Sequence, residues 1–210
     1  MATKLEELIT IDQSNLESLL ELKSSFKWFL IERQEKFWEL LKTNFSDNSM
    51  KVRFFHQHTI ISQWNNRIIK NYYDGVRNNK GYGLVIDLFS IDDYSLKLKV
   101  ELGDYLQYGV MAYKDNIMKW ERALKKSPLP ENIDRIKNNL LDKYNWESRD
   151  ISWGWLVWKK REKTISFRED TKSMKFISDF YENGENSEAF KSLVEDISED
   201  YKVLMDQQYK

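Results

Sequence analysis

The sequence contains no cysteine and very little proline, glycine or histidine. Its 210 residues include two Pro, seven Gly and two His. Without cysteine the chain cannot form disulfides, zinc ribbons or iron–sulfur sites, and thiol catalysis is excluded. Since the only histidines are His56 and His58, most hydrolytic triads and zinc sites are excluded as well. A chain of this length can bury about 70% of its unfolded surface, so it needs no disulfide or metal to fold.

Long apolar runs are also missing. The first seven residues lack the apolar segment of a signal peptide, and no run approaches the ~20 apolar residues of a membrane span. The net charge is −1, from 33 basic and 34 acidic side chains, so the chain as a whole does not attract nucleic acid or anionic membranes. We therefore expect a soluble, cytoplasmic protein that does not associate with membranes.

Large aromatic side chains are abundant. The chain has eight Trp, eleven Tyr and eleven Phe. Each such side chain buries roughly 150–250 Å² when it packs. This surplus indicates a large aromatic core, an aromatic interface, or both.

The N-terminal third has a helical pattern. Residues 14–17 fit a capping box, with Ser14 at the cap and Glu17 three residues later. Apolar residues then recur at helical spacing as far as Leu41, and residues 15–43 contain no Gly or Pro. The pattern predicts one long helix, or two helices that break near residues 24–25. Residues 1–45 could form a helical arm separable from the rest.

The middle of the chain has the period of a β-sheet. Residues 96–102 alternate between apolar and charged side chains, which predicts a half-buried strand. The apolar runs at 82–89 and 106–113 flank it closely, so the three predict an antiparallel meander. Residues 52–55 suit a short strand, whereas the isoleucines from Ile60 to Ile69 fit a helical stripe better.

The C-terminal part mixes a short hairpin with helices. Residues 153–158 form a Trp-rich strand pattern, and residues 164–167 are its predicted partner. Amphipathic helices are predicted after Pro130, from Met174, and from about Ser187 to the end. Because the strands are clustered, the fold class is α+β: an antiparallel sheet, made of a meander and a Trp-rich hairpin, packed by amphipathic helices. Residues 1–210 are predicted to form a single domain.

Several of these segments resemble a known family. They are the KFWELL run at residues 36–41, the strand pair at 96–110 with its Tyr-Gly step, the Trp-rich strand, the Phe-Arg pair at 167–168, and the final helix. Together they are similar to the C-terminal, non-catalytic portion of PD-(D/E)XK nuclease superfamily proteins. Many such proteins are linked to restriction or phage defence. The resemblance implies an accessory domain that acts in bacterial defence or phage counter-defence.

The catalytic motif of that superfamily has only a poor match. The family places an acidic residue on one strand and Glu-x-Lys on the next, where they hold Mg²⁺ and a water nucleophile. Here the match is Asp12 with Glu21 and Lys23, inside the helical pattern that follows the capping box. These three residues are the catalytic candidates only if the chain is a nuclease. We predict instead a chain without a catalytic core and without a cofactor.

The two histidines are the candidate metal ligands. If the segment is extended, His56 and His58 lie on one face and could bind a divalent metal with a carboxylate. No third ligand can be identified from the sequence. A polar strand or the start of a helix is the alternative.

The Trp-rich segment is the candidate binding site. Its aromatic rings precede a basic run and could stack on bases or contact a protein. A strand buried between the sheet and helices is the alternative. The candidate residues are Trp153, Trp155, Trp158, Lys159, Lys160 and Arg161.

Three functions remain open from the sequence. We favour a non-catalytic interaction protein that binds a protein partner. The alternative is a protein that binds nucleic acid, or a Mg-dependent PD-(D/E)XK-like nuclease. A small-molecule pocket lined by aromatic residues of the sheet is the third. The helical stripe at residues 16–30 predicts core packing first, and a homo-oligomer through the N-terminal helix remains open.

Overall fold

The α+β class is confirmed. The computed structural model describes residues 13–56, 59–62, 66–74, 81–103, 105–114, 129–148, 155–159, 165–167 and 171–209. Within these residues there are five α-helices and six β-strands. The helices are α1 (Gln13–Asp47), α2 (Asn66–Tyr73), α3 (Glu131–Lys143), α4 (Thr171–Asn183) and α5 (Glu188–Met205). The strands are β1 (Val52–His56), β2 (Thr59–Ile61), β3 (Tyr82–Ile91), β4 (Tyr94–Leu102), β5 (Leu106–Lys114) and β6 (Val157–Lys159).

The strands form one antiparallel sheet. Its order is β2-β1-β3-β4-β5-β6, and the predicted meander β3-β4-β5 lies at its centre. A tight turn joins β3 to β4, where Asp92 takes a left-handed conformation with φ 49°. Asp and Asn tolerate this conformation better than most residues because their short side chains hydrogen-bond locally. The turn fixes the register that pairs Ile91 with Tyr94.

The two faces of the sheet differ in chemistry. Four even-numbered residues of β4, Leu96, Leu98, Val100 and Leu102, are buried in the main hydrophobic core. Successive side chains on a strand point to opposite faces, so Lys97, Lys99 and Glu101 lie together on the other face. We call the two faces the core face and the charged face.

Helix α1 is one continuous helix of 35 residues, which is about 52 Å long. Of the two predicted alternatives, the single long helix is therefore confirmed, and the helix does not break near residues 24–25. From Leu30 to Phe45 one side of α1 is buried in the core, and it contacts α2, α5, β1 and β3. Phe37 is fully buried, and its ring lies within 6.0 Å of the rings of Trp38, Phe167, Phe176, Phe180 and Phe190. The C-terminal half of α1 is therefore part of the core.

Two local predictions differ from the structure. Ile60 and Ile61 were expected in a helix, but they lie in β2, because the backbone there pairs with β1. The predicted hairpin also differs: β6 pairs with β5 and forms a bridge with Glu147. Residues 165–167 form no strand, and the carbonyl of Ile165 accepts a hydrogen bond from Leu106 N–H at the start of β5.

Candidate interaction surface

Two of the three nuclease candidates, Glu21 and Lys23, lie on a helix and not on strands. Asp12 is outside the described residues, while Glu21 and Lys23 are exposed on α1. Two residues apart on an α-helix, their side chains point about 160° away from each other and cannot converge on one ion. Within the described part of the chain no three His, Asp or Glu side chains are grouped so that they could hold a metal. His56 ends β1 and His58 lies outside the described residues, so their predicted pairing stays a prediction.

Trp155 is buried against the charged face of the sheet. It is only 2% exposed, which leaves no open ring face for a base to stack on. Its ring packs on β5 at Gly109, where a Cβ would lie 2.7 Å from Trp155 Cε3 and 2.4 Å from the backbone oxygen of Val157. A residue without a side chain is needed at this close approach. Trp153, Lys160 and Arg161 are outside the described residues, and Trp158 is half-buried.

Lys159 forms an ion pair with the last helix. Its Nζ lies 2.8 Å from Asp200 Oδ1 and 3.1 Å from Oδ2. The hydroxyl of Tyr108 donates to Oδ2 of the same carboxylate at 2.8 Å. Nζ also lies 5.6 Å from the centroid of the Trp146 ring. Lys159, one of the predicted binding residues, thus joins β6 to α5.

The charged face satisfies its own charges. Asp87 accepts hydrogen bonds from Arg53 and, at 2.6 Å, from Lys97. Burial raises the pKa of Asp87, but the hydrogen bonds and charges of Lys97 and Arg53 outweigh that effect and hold it below its ordinary value.

A second network of ion pairs and hydrogen bonds lies on the charged face, further along β4. Lys99 Nζ lies 2.5 Å from Glu101 Oε2, and Gln107 donates to Glu101 Oε1 at 2.6 Å. Lys99 Nζ also lies 4.5 Å from the Phe55 ring centroid and 5.2 Å from that of Trp155. Because the buried charges of Lys99 and Glu101 are paired with each other, a structural role accounts for this arrangement without a ligand.

The N-terminal half of α1 exposes an apolar stripe. Leu19, Leu22, Phe26 and Phe29 follow the i, i+3, i+7, i+10 pattern, which places them on one side of the helix. Leu19 is 47% exposed and Leu22 is 66% exposed, while the two phenylalanines are partly buried. We call these four residues the α1 stripe. Leu20 and Trp28 are also exposed, on other sides of the same helix.

The α1 stripe ends in a cluster of aromatic rings with an arginine packed against them. The rings of Phe26 and Phe29 stack with centroids 6.2 Å apart, and Tyr181 of α4 lies 5.4 Å beyond Phe29. The guanidinium carbon of Arg33 sits 5.3 Å from the Phe29 centroid and 4.6 Å from that of Tyr181. Tyr181 is 54% exposed, so this group continues the stripe onto a second helix.

A different side of α1 carries acidic residues. Glu21, Glu32, Glu35 and Glu39 lie roughly 100° or more around the helix from the middle of the α1 stripe. Burial raises the pKa of Glu35, and the neighbouring Glu39 and Glu32 raise it further. The acidic residues are thus separated from the α1 stripe, while the exposed Trp28 shares their side of the helix.

The sequence pattern contained the spacing of the α1 stripe but not its exposure. A helical apolar stripe predicts core packing, and that prediction holds for the two phenylalanines of the stripe and for the residues from Leu30 onward, but not for the exposed Leu19 and Leu22. Arg33 and Tyr181 were not identified, because their contact joins residues from two helices that are far apart in the chain.

Comparison with known proteins adds no relative: no family model, no curated protein and no solved structure matches this chain. Among the described residues, none of the helices combines the length and apolarity needed to cross a bilayer.

Proposed function

We propose that this chain is a non-catalytic interaction protein that binds a protein partner through the α1 stripe. The observation that carries the proposal is the exposure of Leu19 and Leu22, at 47% and 66%, on a helix whose other half is anchored in the core. Single exposed apolar residues are normal on a protein surface, whereas a contiguous stripe more often marks an interaction site.

The anchoring of α1 supports this proposal. Phe37 and its aromatic neighbours hold the buried half, so the exposed half is presented in a fixed direction. A surface that is already ordered loses less conformational entropy when it binds than a disordered segment does. The predicted role as an accessory domain in bacterial defence or phage counter-defence is part of the proposal and rests on the sequence resemblance. The predicted cytoplasmic location is also part of the proposal and rests on composition.

Two observations weigh against the nucleic-acid alternative. Trp155 is buried, and Lys159 is paired with Asp200. Both residues would have to leave these contacts before they could bind a base or a phosphate.

Photo-crosslinking tests the proposal directly. A benzophenone side chain at Leu22 should capture one partner protein in cells that produce this chain, because the substituted position is exposed on the stripe. The matched control carries the same group at Glu39, which is exposed on the acidic side of α1. The captured protein is then purified and its affinity measured for the wild type and for L19S/L22S. We expect about a 100-fold loss, since each lost leucine contact contributes on the order of 1.5 kcal/mol.

Two results would contradict the proposal. One is equal capture at Leu22 and Glu39, or a purified partner that binds L19S/L22S as well as the wild type. The other is binding of short DNA or RNA that falls steeply between low and moderate salt, which would favour the nucleic-acid alternative.

A further inference from the structure

Two cations beside the α1 stripe have no carboxylate partner among the described residues. Lys23 is exposed next to Leu19 and Phe26 on the helix surface, and the Nε atom of Arg33 is buried without a hydrogen-bond acceptor. Lys27 and Lys70 both bind Asp74, whereas Lys36 is also exposed on α1 without an ion pair among the described residues. Lys23 and Arg33 are distinguished by their position, since they lie beside the α1 stripe and at its aromatic end.

Arg33 is held in place although no described residue supplies an anionic partner for it. The rings of Phe29 and Tyr181 flank its guanidinium group, which keeps the side chain from moving freely. Arginine in such a position can donate two parallel hydrogen bonds to a carboxylate. The guanidinium group of Arg33 is thus already ordered at the position where a partner's anion would bind.

The shape of the stripe fits a helix. From Leu19 to Arg33 it extends about 21 Å, or roughly four helical turns. Apolar residues spaced three and four apart are what one amphipathic helix presents to another. An extended strand would match only part of this spacing, because its side chains alternate between two faces.

A second copy of this chain fits the charges poorly. A symmetric dimer pairs the same surface patch on both subunits. The other copy would bring Lys23, Arg33 and the apolar residues of the stripe, with no carboxylate among them. Both cations would remain without a counter-charge, and in a parallel pair the two copies of Arg33 would face each other.

From these observations we infer that the partner presents an acidic amphipathic helix, whose apolar residues pack on the α1 stripe and whose carboxylates pair with Lys23 and Arg33. This inference rests on the proposed function, since it specifies the partner for the same surface. The acidic side of α1 would repel such a helix, so the partner is directed to the stripe.

A peptide library tests this charge preference without knowledge of the partner. The library consists of 16-residue amphipathic helices with leucine fixed at i, i+3, i+7 and i+10 and with Glu, Gln or Lys at the flanking positions. Peptides are selected on the wild-type protein, and those that also bind L19S/L22S are discarded. We expect Glu to exceed Lys by about 5-fold at the flanking positions, the size expected of two solvent-exposed ion pairs.

Charge variants identify the residues responsible. K23Q/R33Q should reduce the preference for Glu to within about 2-fold while the apolar contacts keep peptides bound. The matched control is K202Q, which removes an exposed lysine on α5 and should leave the preference unchanged.

Three outcomes overturn the inference: equal enrichment of Gln or Lys, no peptide enriched on the wild type over L19S/L22S, or a wild-type dimer in sedimentation equilibrium that L19S/L22S abolishes. The crosslinking experiment separates this inference from the proposed function, because it does not depend on charge. A partner captured at Leu22 without any acidic preference would overturn the acidic helix alone. Failure of both experiments would overturn both proposals.

Discussion

The ion pair between Lys159 and Asp200 gives a sharp test of whether this lysine is structural. The side chain of Asp200 is 9% exposed and that of Lys159 is 31% exposed. In K159Q the buried carboxylate loses its counter-charge and keeps the hydroxyl of Tyr108. A hydrogen bond to a charged group contributes about 1.5–3 kcal/mol. Because Lys159 is about a third exposed, water screens part of this, and we expect K159Q to lower the free energy of unfolding by about 1–2 kcal/mol.

A double-mutant cycle measures the coupling between the two residues. K159Q, D200N and the double variant are unfolded in urea at 25 °C, and the transitions are extrapolated linearly to water. We expect the double variant to be about 1 kcal/mol more stable than the sum of the single effects predicts, since the pair is lost only once. The control is K202Q on the same helix, whose effect should stay within about 0.5 kcal/mol.

The reasoning would be refuted by a K159Q effect as small as that of K202Q, together with a coupling below about 0.3 kcal/mol. That result would mean that Lys159 is held only loosely by Asp200. The basic run that follows β6 would then again be a candidate for nucleic-acid contact.

Two further predictions concern the core and the charged face. F37A should lower the free energy of unfolding, measured in urea, by about 3–5 kcal/mol, because it opens a cavity among five aromatic rings. The control L22S should change it by less than about 0.5 kcal/mol. Equal effects of the two substitutions would mean that α1 is separable from the core. The stability that Asp87 contributes is fully present above its unfolded pKa of about 4 and is lost as the pH falls through its lowered folded pKa. D87N should therefore flatten the fall in stability between pH 5 and the acid limit, measured by urea unfolding across pH, and an unchanged slope would contradict the role given to Lys97 and Arg53.

Local patterns in the sequence were enough to predict the fold class and most elements. The two-residue period of β4 and the absence of Gly and Pro from α1 each depend on neighbouring residues only. The strand β2 was missed because its three residues have no period of their own and become a strand only by pairing with β1. The pairing of β6 with β5 was missed for the same reason, since more than forty residues separate them in the chain.

The candidate surface was harder to predict than the fold. Spacing alone cannot show which part of a helix is covered, so the apolar pattern of α1 indicated a core over its whole length. Similarly, nothing near Lys159 in the sequence shows that Asp200 is its partner, because the two residues meet only after α5 packs on the sheet. Exposure and charge pairing are properties of the tertiary structure, and these two properties define the candidate surface.

The continuity of α1 also links the interaction surface to the stability of the fold. An isolated helix shorter than about 12–15 residues is marginal in water, and the exposed half of α1 has few tertiary contacts of its own. Its helical structure therefore propagates outward from the turns that contain Leu30 and Phe37. Opening should begin at the N-terminal end and become progressively more costly toward the core. A partner bound to the stripe would suppress this fraying. Part of the binding free energy gained at Leu19 would therefore appear as a higher free energy of unfolding of the sheet and its helices.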